Sequence, residues 1–326
     1  MNPEKLNIAN TDIEHFPIIY GCAELGGGWN HEDLSAEDRV RSRDAIFAAI
    51  DAGYDFFDHA GVYCHGKSET VFGEWLSDNQ SLRDRITVQT KCGIRFAESE
   101  SPWSVNRYDF SADHILASVE SSLRRLQTDR IDILLLHRPD PLAEPEEIAR
   151  AFDLLQTSGK VRFFGVSNHS EAQILWLETA LRQKLVVNQL QLSLAHPALI
   201  QSGVLINQAV PAAPGDGLLP YCQRAGISLQ AWSPLDRGRV CGGDLGGEDV
   251  SRFAPIQHLV GTIAESRGVS PEEIALAWIL RHPAGIAPVL GTRNPERIRV
   301  CAGAVKVKLS REEWYALFTA AHGKNL

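Results

Sequence analysis

The fold is decided by residues 131–168, which read IDILLLHRPDPLAEPEEIARAFDLLQTSGKVRFFGVSN. The two ends of this stretch, IDILLL and VRFFGV, are short and almost continuously apolar, which is typical of strands that are buried on both faces. Between them, Pro145 opens the amphipathic run EEIARAFDLLQTSG, whose final glycine is a common helix terminator. The stretch therefore predicts two parallel strands joined by a helix.

The same alternation continues in both directions along the chain. The remaining apolar runs are PIIYG from Pro17, YDFFDHA from Tyr54, ITVQTKC from Ile86, LVVNQLQLS from Leu185, ISLQAWSPL from Ile227 and IAPVLGT from Ile286. Helix N-caps are predicted at Ser35, Ser111, Ser170, Ser270 and Ser310. Eight strand–helix units favour a parallel (β/α)₈ (TIM) barrel over an open doubly wound sheet. We expect a single domain over residues 1–326, with a doubled seventh helical layer and an extra C-terminal helix.

Several segments depart from this rhythm. Residues 93–110 and 201–217 are long for loops, and both follow the carboxyl end of a strand, where barrel active sites lie. A glycine-rich segment also follows Pro234. The residues before Pro17 are predicted to form a small hairpin that plugs the opposite mouth. A dinucleotide-binding open sheet is disfavoured, because no G-x-G-x-x-G follows the first strand.

Composition narrows the class of protein. The chain is 44% hydrophobic and 22% charged, which argues against a disordered, collagen-like or disulfide-stapled protein. A net charge of −9 disfavours nucleic acid and anionic membranes as partners. The six cysteines form no C-x-x-C pair, so neither a metal site nor a disulfide framework is expected. The N-terminus lacks a signal-peptide pattern, and we expect a cytoplasmic location; the oligomeric state is not readable from the sequence.

Polar residues end three consecutive predicted strands: Asp58, Lys91 and His137. Each has a structural alternative, since Asp58 could cap a turn, Lys91 could form an ordinary ion pair and His137 could be a core histidine. In a barrel, however, all three reach the same rim. There the Lys91 ammonium, kept charged by Asp58, should lower the pKa of Tyr63 from about 10 and make it a general acid. A neutral His137 could donate a hydrogen bond to the same substrate oxygen.

These motifs resemble the aldo-keto reductases. The resemblance is carried by FFDHAGVYCHGKSE, QTKCG, LLLHRPD, FGVSN, NQ, AWSPL and VLGTRNPERI, in the family's order from Pro17 to the C-terminus. Asp58, Tyr63, Lys91 and His137 match the family's catalytic tetrad, and HRPDPL with GKVRFFGVSN is most similar to bacterial members. The resemblance implies reduction of an aldehyde or ketone to an alcohol by hydride transfer, with a small-molecule carbonyl as substrate.

The resemblance also implies NADPH as cofactor, extended across the rim. The residues implied to hold it are Ser167, Asn168, Gln189 and Trp232 at the nicotinamide, Ser233, Leu235, Gly238 and Arg239 at the pyrophosphate, and Gly291, Thr292, Arg293 and Arg297 at the adenosine 2′-phosphate. Physical chemistry supports the last group, because a helix N-terminus with two arginines is a strong dianion site. The alternative for these arginines is an exposed basic first turn.

The chain departs from the family pattern at three places. Val300 and Cys301 stand where many members carry Glu and Asn to contact the adenine, and His59 replaces the commoner threonine. The segment 201–217 is longer than usual. Candidate aromatic walls of the substrate pocket are Trp29, Trp103 and Tyr108.

Two other functions compete with this interpretation. Residues 61–68, GVYCHGKS, satisfy the phosphate-loop pattern G-x-x-x-x-G-K-[ST]. The bulky Tyr63 and His65 do not suit a phosphate cradle, so Lys67 is expected to be merely solvated in the first turn of a helix. The second alternative is a cofactor-binding regulatory subunit of the same fold without significant turnover.

Overall fold

The computed structural model describes residues 4–97, 99, 102, 104–204, 217–245 and 250–322. Eight parallel strands close into a barrel, each paired with its neighbours in chain order and the last paired with the first. They are β1 (Ile19–Gly21), β2 (Phe56–Asp58), β3 (Thr87–Cys92), β4 (Ile131–Leu136), β5 (Val161–Ser167), β6 (Leu185–Gln191), β7 (Ser228–Trp232) and β8 (Ala287–Leu290). The predicted (β/α)₈ barrel is confirmed.

Helices surround the barrel. They are α1 (Ala36–Asp51), α2 (Lys67–Asp78), α3 (Ala112–Leu126), α4 (Pro145–Thr157), α5 (Glu171–Glu178), α6 (Ala198–Gln201), α7 (Leu218–Ala225), α8 (Val250–Arg267), α9 (Pro271–Leu280), α10 (Pro295–Ala302) and α11 (Arg311–His322). Both α8 and α9 lie between β7 and β8, and α11 is the extra C-terminal helix, as predicted. Ser170 and Ser270 each form a capping box with the residue three positions later.

The N-terminal hairpin, Leu6–Asn7 paired with Glu14–His15, covers the amino-terminal mouth of the barrel. Ile8 and Ile13 at its tip are buried in one cluster with barrel residues such as Ile19 and Phe56. The Ala9 backbone N–H donates to Ser228 Oγ at the start of β7 (3.2 Å). The predicted plug is therefore confirmed, and the carboxyl ends of the strands form the open rim.

Two of the long segments are only partly described. Within residues 93–110, Ile94–Arg95 pairs with Arg107–Tyr108 as a short antiparallel hairpin. Trp103 lies outside the described residues, as do residues 205–216 of the second segment. Within the ranges given above, no helix has both the length and the apolar character needed to cross a membrane.

Candidate active site

The centre of the rim is a buried ammonium with three acceptors. Lys91 on β3 has no exposed side-chain surface. Its Nζ donates to Asp58 Oδ2 (2.6 Å), to the Tyr63 hydroxyl (2.9 Å) and to the His59 carbonyl oxygen (3.0 Å). Because an ammonium has three N–H donors, this set of partners orients Lys91 completely. The structure thus brings both Asp58 and Tyr63 into direct contact with Lys91.

Tyr63 reaches this position because the chain reverses sharply after β2. The Gly61 N–H donates to the Lys91 carbonyl oxygen (3.1 Å), which ties the start of the turn to β3. Cys64 and His65 then adopt left-handed backbone angles, with φ of 48° and 58°, before Gly66 at 87°. Such angles are costly for residues with a Cβ and concentrate at functional sites. The turn returns the Tyr63 side chain to the rim.

Three buried glutamines support the other oxygen of Asp58. Gln89 Nε2 and Gln189 Nε2 donate to Asp58 Oδ1 at 2.6 and 3.1 Å, and both also donate to Gln230 Oε1 at 2.8 Å. The carboxylate is therefore hydrogen-bonded at both oxygens without solvent. Gln89 and Gln230 were not predicted as site residues, although each is a polar residue inside a predicted strand. Gln189 was predicted, but both N–H donors of its amide are directed into this network.

Electrostatics at the site differ from the sequence-based expectation in one respect. Burial raises the pKa of Tyr63 above its ordinary value of 10, and this outweighs the lowering by the Lys91 ammonium. The expected downward shift of the Tyr63 pKa was wrong, because the loss of hydration destabilises the phenolate more than the Lys91 ammonium stabilises it. Burial would lower the pKa of Lys91, yet Asp58 and Tyr63 raise it overall. Burial, Lys91 and Arg138 lower the pKa of His137 far below 6.5, so His137 is neutral.

His137 lies beside Tyr63, and the second group of residues, those assigned to the nicotinamide, is linked to His137 through Asn168. The rings of Tyr63 and His137 are nearly perpendicular, with centroids 5.9 Å apart. Asn168, with a left-handed φ of 62°, donates from Nδ2 to Ser167 Oγ (2.9 Å) and to the His137 carbonyl oxygen (3.3 Å). Its Oδ1 accepts a hydrogen bond from Trp232 Nε1 (3.0 Å). Ser167 Oγ donates to the Gln189 carbonyl oxygen, so the four residues assigned to the nicotinamide form one connected set.

The third group contains the residues assigned to the pyrophosphate. They lie in a turn after β7 and in a 3₁₀ helix, Asp236–Cys241, and are Ser233, Leu235, Gly238 and Arg239. Gly238 has φ +85° and open space where a Cβ would stand. Arg239 is held by Asp236 (Nη2 to Oδ2, 2.8 Å), and its guanidinium lies 4.7 Å from the centroid of the Phe253 ring. These residues thus lie in one short segment directly after the carboxyl end of β7.

The fourth group, the residues assigned to the adenosine 2′-phosphate, lies between β8 and the first turn of α10. Asn294 caps this helix by accepting from the backbone N–H groups of Glu296 and Arg297. Arg293 therefore precedes the helix, and only Arg297 is in its first turn. Arg293 Nη1 is buried without a hydrogen bond and lies 3.8 Å from Asp38 Oδ1, whereas Arg297 is exposed and lies 3.7 Å from Glu272 Oε1. Gly291 faces open space, and Thr292 accepts from the Tyr20 hydroxyl through its carbonyl oxygen.

The first turn of α2, where the phosphate-loop motif would bind a phosphate, is packed against another loop. The Cβ direction of Gly26, in the loop between β1 and α1, would bring a side chain within 2.6 Å of the Ser68 nitrogen and 2.7 Å of Lys67 Cβ. The first turn of α2 is thus covered by this loop rather than open to a phosphate. Lys67 is also not merely solvated as expected, since Nζ donates to Asn30 Oδ1 (2.7 Å) and to the Glu32 carbonyl oxygen (2.9 Å).

The chain is similar to known oxidoreductases in sequence and in fold. A sequence model of the aldo/keto reductase family matches residues 17–320. An uncharacterised oxidoreductase of Bacillus subtilis is 38% identical over 97% of both chains. A 6-dehydroglucose reductase of Agrobacterium fabrum is also 38% identical, over 98% of this chain and 99% of its own. Among solved structures, an aldo/keto reductase of Klebsiella pneumoniae in complex with NADP and acetate superposes with a TM-score of 0.74 at 26% identity, covering 97% of this chain and 94% of that one.

Proposed function

Because the chain belongs to the aldo/keto reductase family, we propose that it uses NADPH to reduce an aldehyde or ketone to the alcohol. The observation that carries this proposal is the contact of one buried ammonium with both a carboxylate and a phenol. Lys91 lies 2.6 Å from Asp58 and 2.9 Å from the Tyr63 hydroxyl. That arrangement serves proton transfer, since the lysine stabilises the phenolate that remains when the proton leaves.

The residues along the rim fit an NADP-type dinucleotide. Gly238 and Gly291 leave open space where side chains would obstruct a ligand close to the backbone. The Arg293 Nη1 atom is buried without a hydrogen bond, and the exposed Arg297 follows it at the start of α10. A guanidinium N–H donor without a hydrogen bond, four residues before a second arginine, suits a phosphate dianion. The similarity to the Klebsiella structure with bound NADP supports the same assignment.

The nicotinamide end of this site is organised by Asn168. Its side chain links the Trp232 indole, the Ser167 hydroxyl and the His137 backbone. The Trp232 ring is thereby fixed in place, and we assign Ser167 and Asn168 to the carboxamide. Gln189, whose N–H donors bind Asp58 and Gln230, offers only its Oε1 to the same group. When bound there, NADPH supplies the hydride that reduces the carbonyl carbon.

The protein residues then handle the proton and the developing charge. Tyr63 carries its proton at neutral pH, since the ordinary pKa of a phenol is about 10 and burial raises it further, so the hydroxyl can donate to the carbonyl oxygen. Lys91 stabilises the resulting phenolate, and Asp58 keeps the lysine charged and in place. The neutral His137 ring donates a hydrogen bond to the same oxygen and so stabilises the negative charge that develops on it.

A panel of carbonyl compounds tests this function. Purified protein is mixed with NADPH and each compound, and cofactor consumption is followed by its absorbance. The panel contains aliphatic and aromatic aldehydes together with 6-dehydroglucose, the compound in the name of the Agrobacterium relative. Carbonyl-dependent consumption of NADPH is the expected result. Tight NADPH binding without turnover of any compound would instead support the regulatory-subunit alternative.

A further inference from the structure

Within the motif GVYCHGKS at residues 61–68, the proposed reaction uses Tyr63 but none of the residues after it. Its last residues contact the loop between β1 and α1, residues 22–35, which we call the β1–α1 loop. Ser68 Oγ accepts from the Gly26 N–H (3.0 Å). The Cys64 thiol lies 3.3 Å from the carbonyl oxygens of both Ala23 and Gly27. The start of this loop is therefore held against the turn that carries Tyr63.

The next part of the loop is held by Lys67. Its ammonium bridges Asn30 Oδ1 and the Glu32 carbonyl oxygen, and Asn30 Nδ2 donates to Glu32 Oε2 (2.8 Å). The loop needs such a restraint because residues 26–28 are three consecutive glycines. Glycine has the greatest backbone freedom of any residue, so ordering this segment costs more entropy than usual. Lys67 supplies two hydrogen bonds immediately beyond the flexible segment.

Trp29 lies between these contacts along the loop and faces the Tyr63 ring. Trp29 is 52% exposed, and its ring lies edge to face with Tyr63 at a centroid distance of 6.2 Å. His31 packs on His65 at 4.1 Å, and His65 packs on Phe96 at 5.0 Å. His31 and Phe96 also line a cavity of about 520 Å³. Trp29 is the ring of this row that contacts Tyr63, so it lies where the body of a large carbonyl compound bound at the Tyr63 hydroxyl would be expected.

We propose that Lys67 is a positioning residue that sets carbonyl selectivity by holding Trp29 beside Tyr63. This inference rests on the proposed carbonyl reduction. It predicts that Lys67 affects large substrates, whose bodies touch Trp29, more than small ones, which occupy only the space next to Tyr63. The chemical step itself should not depend on Lys67, because its ammonium contacts the loop and not the Asp58–Lys91–Tyr63 set.

The test compares Lys67→Ala with Lys67→Arg, which keeps a cation and its donors. For an aromatic aldehyde, Lys67→Ala should raise KM about three- to tenfold, the factor that one net hydrogen bond corresponds to. Its kcat, and both constants for a three-carbon aldehyde, should stay near wild type, and Lys67→Arg should restore most of the selectivity. Equal losses for both aldehydes would overturn the proposal.

A double-mutant cycle with Trp29→Ala identifies the route of the effect. If Lys67 acts through Trp29, then Lys67→Ala adds little in the Trp29→Ala background, whereas independent roles give additive losses and contradict the proposal.

Amide hydrogen exchange of residues 26–32 gives a reading that needs no turnover, and exchange there should be faster in Lys67→Ala. Unchanged exchange would overturn the restraint itself. A wild-type protein inert toward every carbonyl would overturn the proposed function and the selectivity role, while exchange would still decide whether Lys67 orders the loop.

Discussion

At the scale of single residues, the tetrad interpretation depends on the Tyr63 hydroxyl. Tyr63→Phe keeps the ring and its contacts with Trp29 and His137 but removes the transferable proton. We expect kcat for carbonyl reduction to fall by roughly 10² to 10⁴. NADPH affinity, measured by fluorescence titration, should be unchanged. A variant that retains wild-type turnover would show that another group supplies the proton.

The two arginines near α10 give a second prediction at this scale. Arg297→Ala removes an exposed cation at the proposed 2′-phosphate site, which should weaken NADPH binding by about 2 kcal/mol, roughly thirtyfold in Kd. Binding of NADH, which lacks that phosphate, should hardly change. Arg299→Ala in the same helix is the matched control, because Arg299 is exposed and outside the proposed site. Equal losses for both cofactors would contradict the assignment.

At the scale of elements, the packing of α2 on α3 places the Tyr63 turn. Gly73 is buried in α2, and a Cβ there would lie 2.0 Å from the Arg125 carbonyl oxygen and 2.7 Å from the Leu126 carbonyl carbon. Both atoms are backbone, so the helices would have to separate. Gly73→Ala should therefore lower the free energy of unfolding by about 1–3 kcal/mol.

A glycine without close neighbours provides the control for this prediction. Gly261 in α8 has nothing within 4 Å of its Cβ position. Gly261→Ala should be neutral or stabilising by roughly 0.5–1 kcal/mol, because alanine favours helices. Urea unfolding followed by circular dichroism measures both variants. Similar unfolding midpoints for the two would show that α2 and α3 are not in close backbone contact.

At the scale of the whole molecule, buried neutral histidines link stability to pH. Burial lowers the pKa of His59 to about 3 and that of His169 to about 4. Because these pKa values are below the unfolded value of about 6.5, the unfolded chain binds protons that the folded chain does not. Their contribution to stability is complete above pH 6.5 and is lost as the pH falls toward 4. Each such histidine should lower the free energy of unfolding by about 1.4 kcal/mol for every unit by which the pH falls in that range.

Urea unfolding at pH 7, 6 and 5 measures this slope. His59→Asn removes one titrating group, so its free energy of unfolding should decline less steeply with falling pH than that of the wild type, whatever its absolute stability. An identical slope in the two proteins would show that His59 is protonated in the folded state.

The barrel, and the meeting of the candidate site residues at one rim, could be predicted from the sequence. Strands covered on both faces must be apolar along their length, as IDILLL shows, and the parallel connections require every strand to deliver its carboxyl end to one rim. This is why Asp58, Lys91 and His137 could be grouped before any contact was known. Helix caps such as Ser170 and Ser270 were equally readable, because capping depends on residues only three positions apart.

Other properties were decided only by the tertiary structure. The glutamine network around Asp58 joins β2, β3, β6 and β7, and the contact of Lys67 with the β1–α1 loop joins segments more than 30 residues apart. The direction of the Tyr63 pKa shift was also mispredicted. Spacing along the chain indicates which charges meet, but the balance between desolvation and charge depends on how completely the folded barrel excludes water from them.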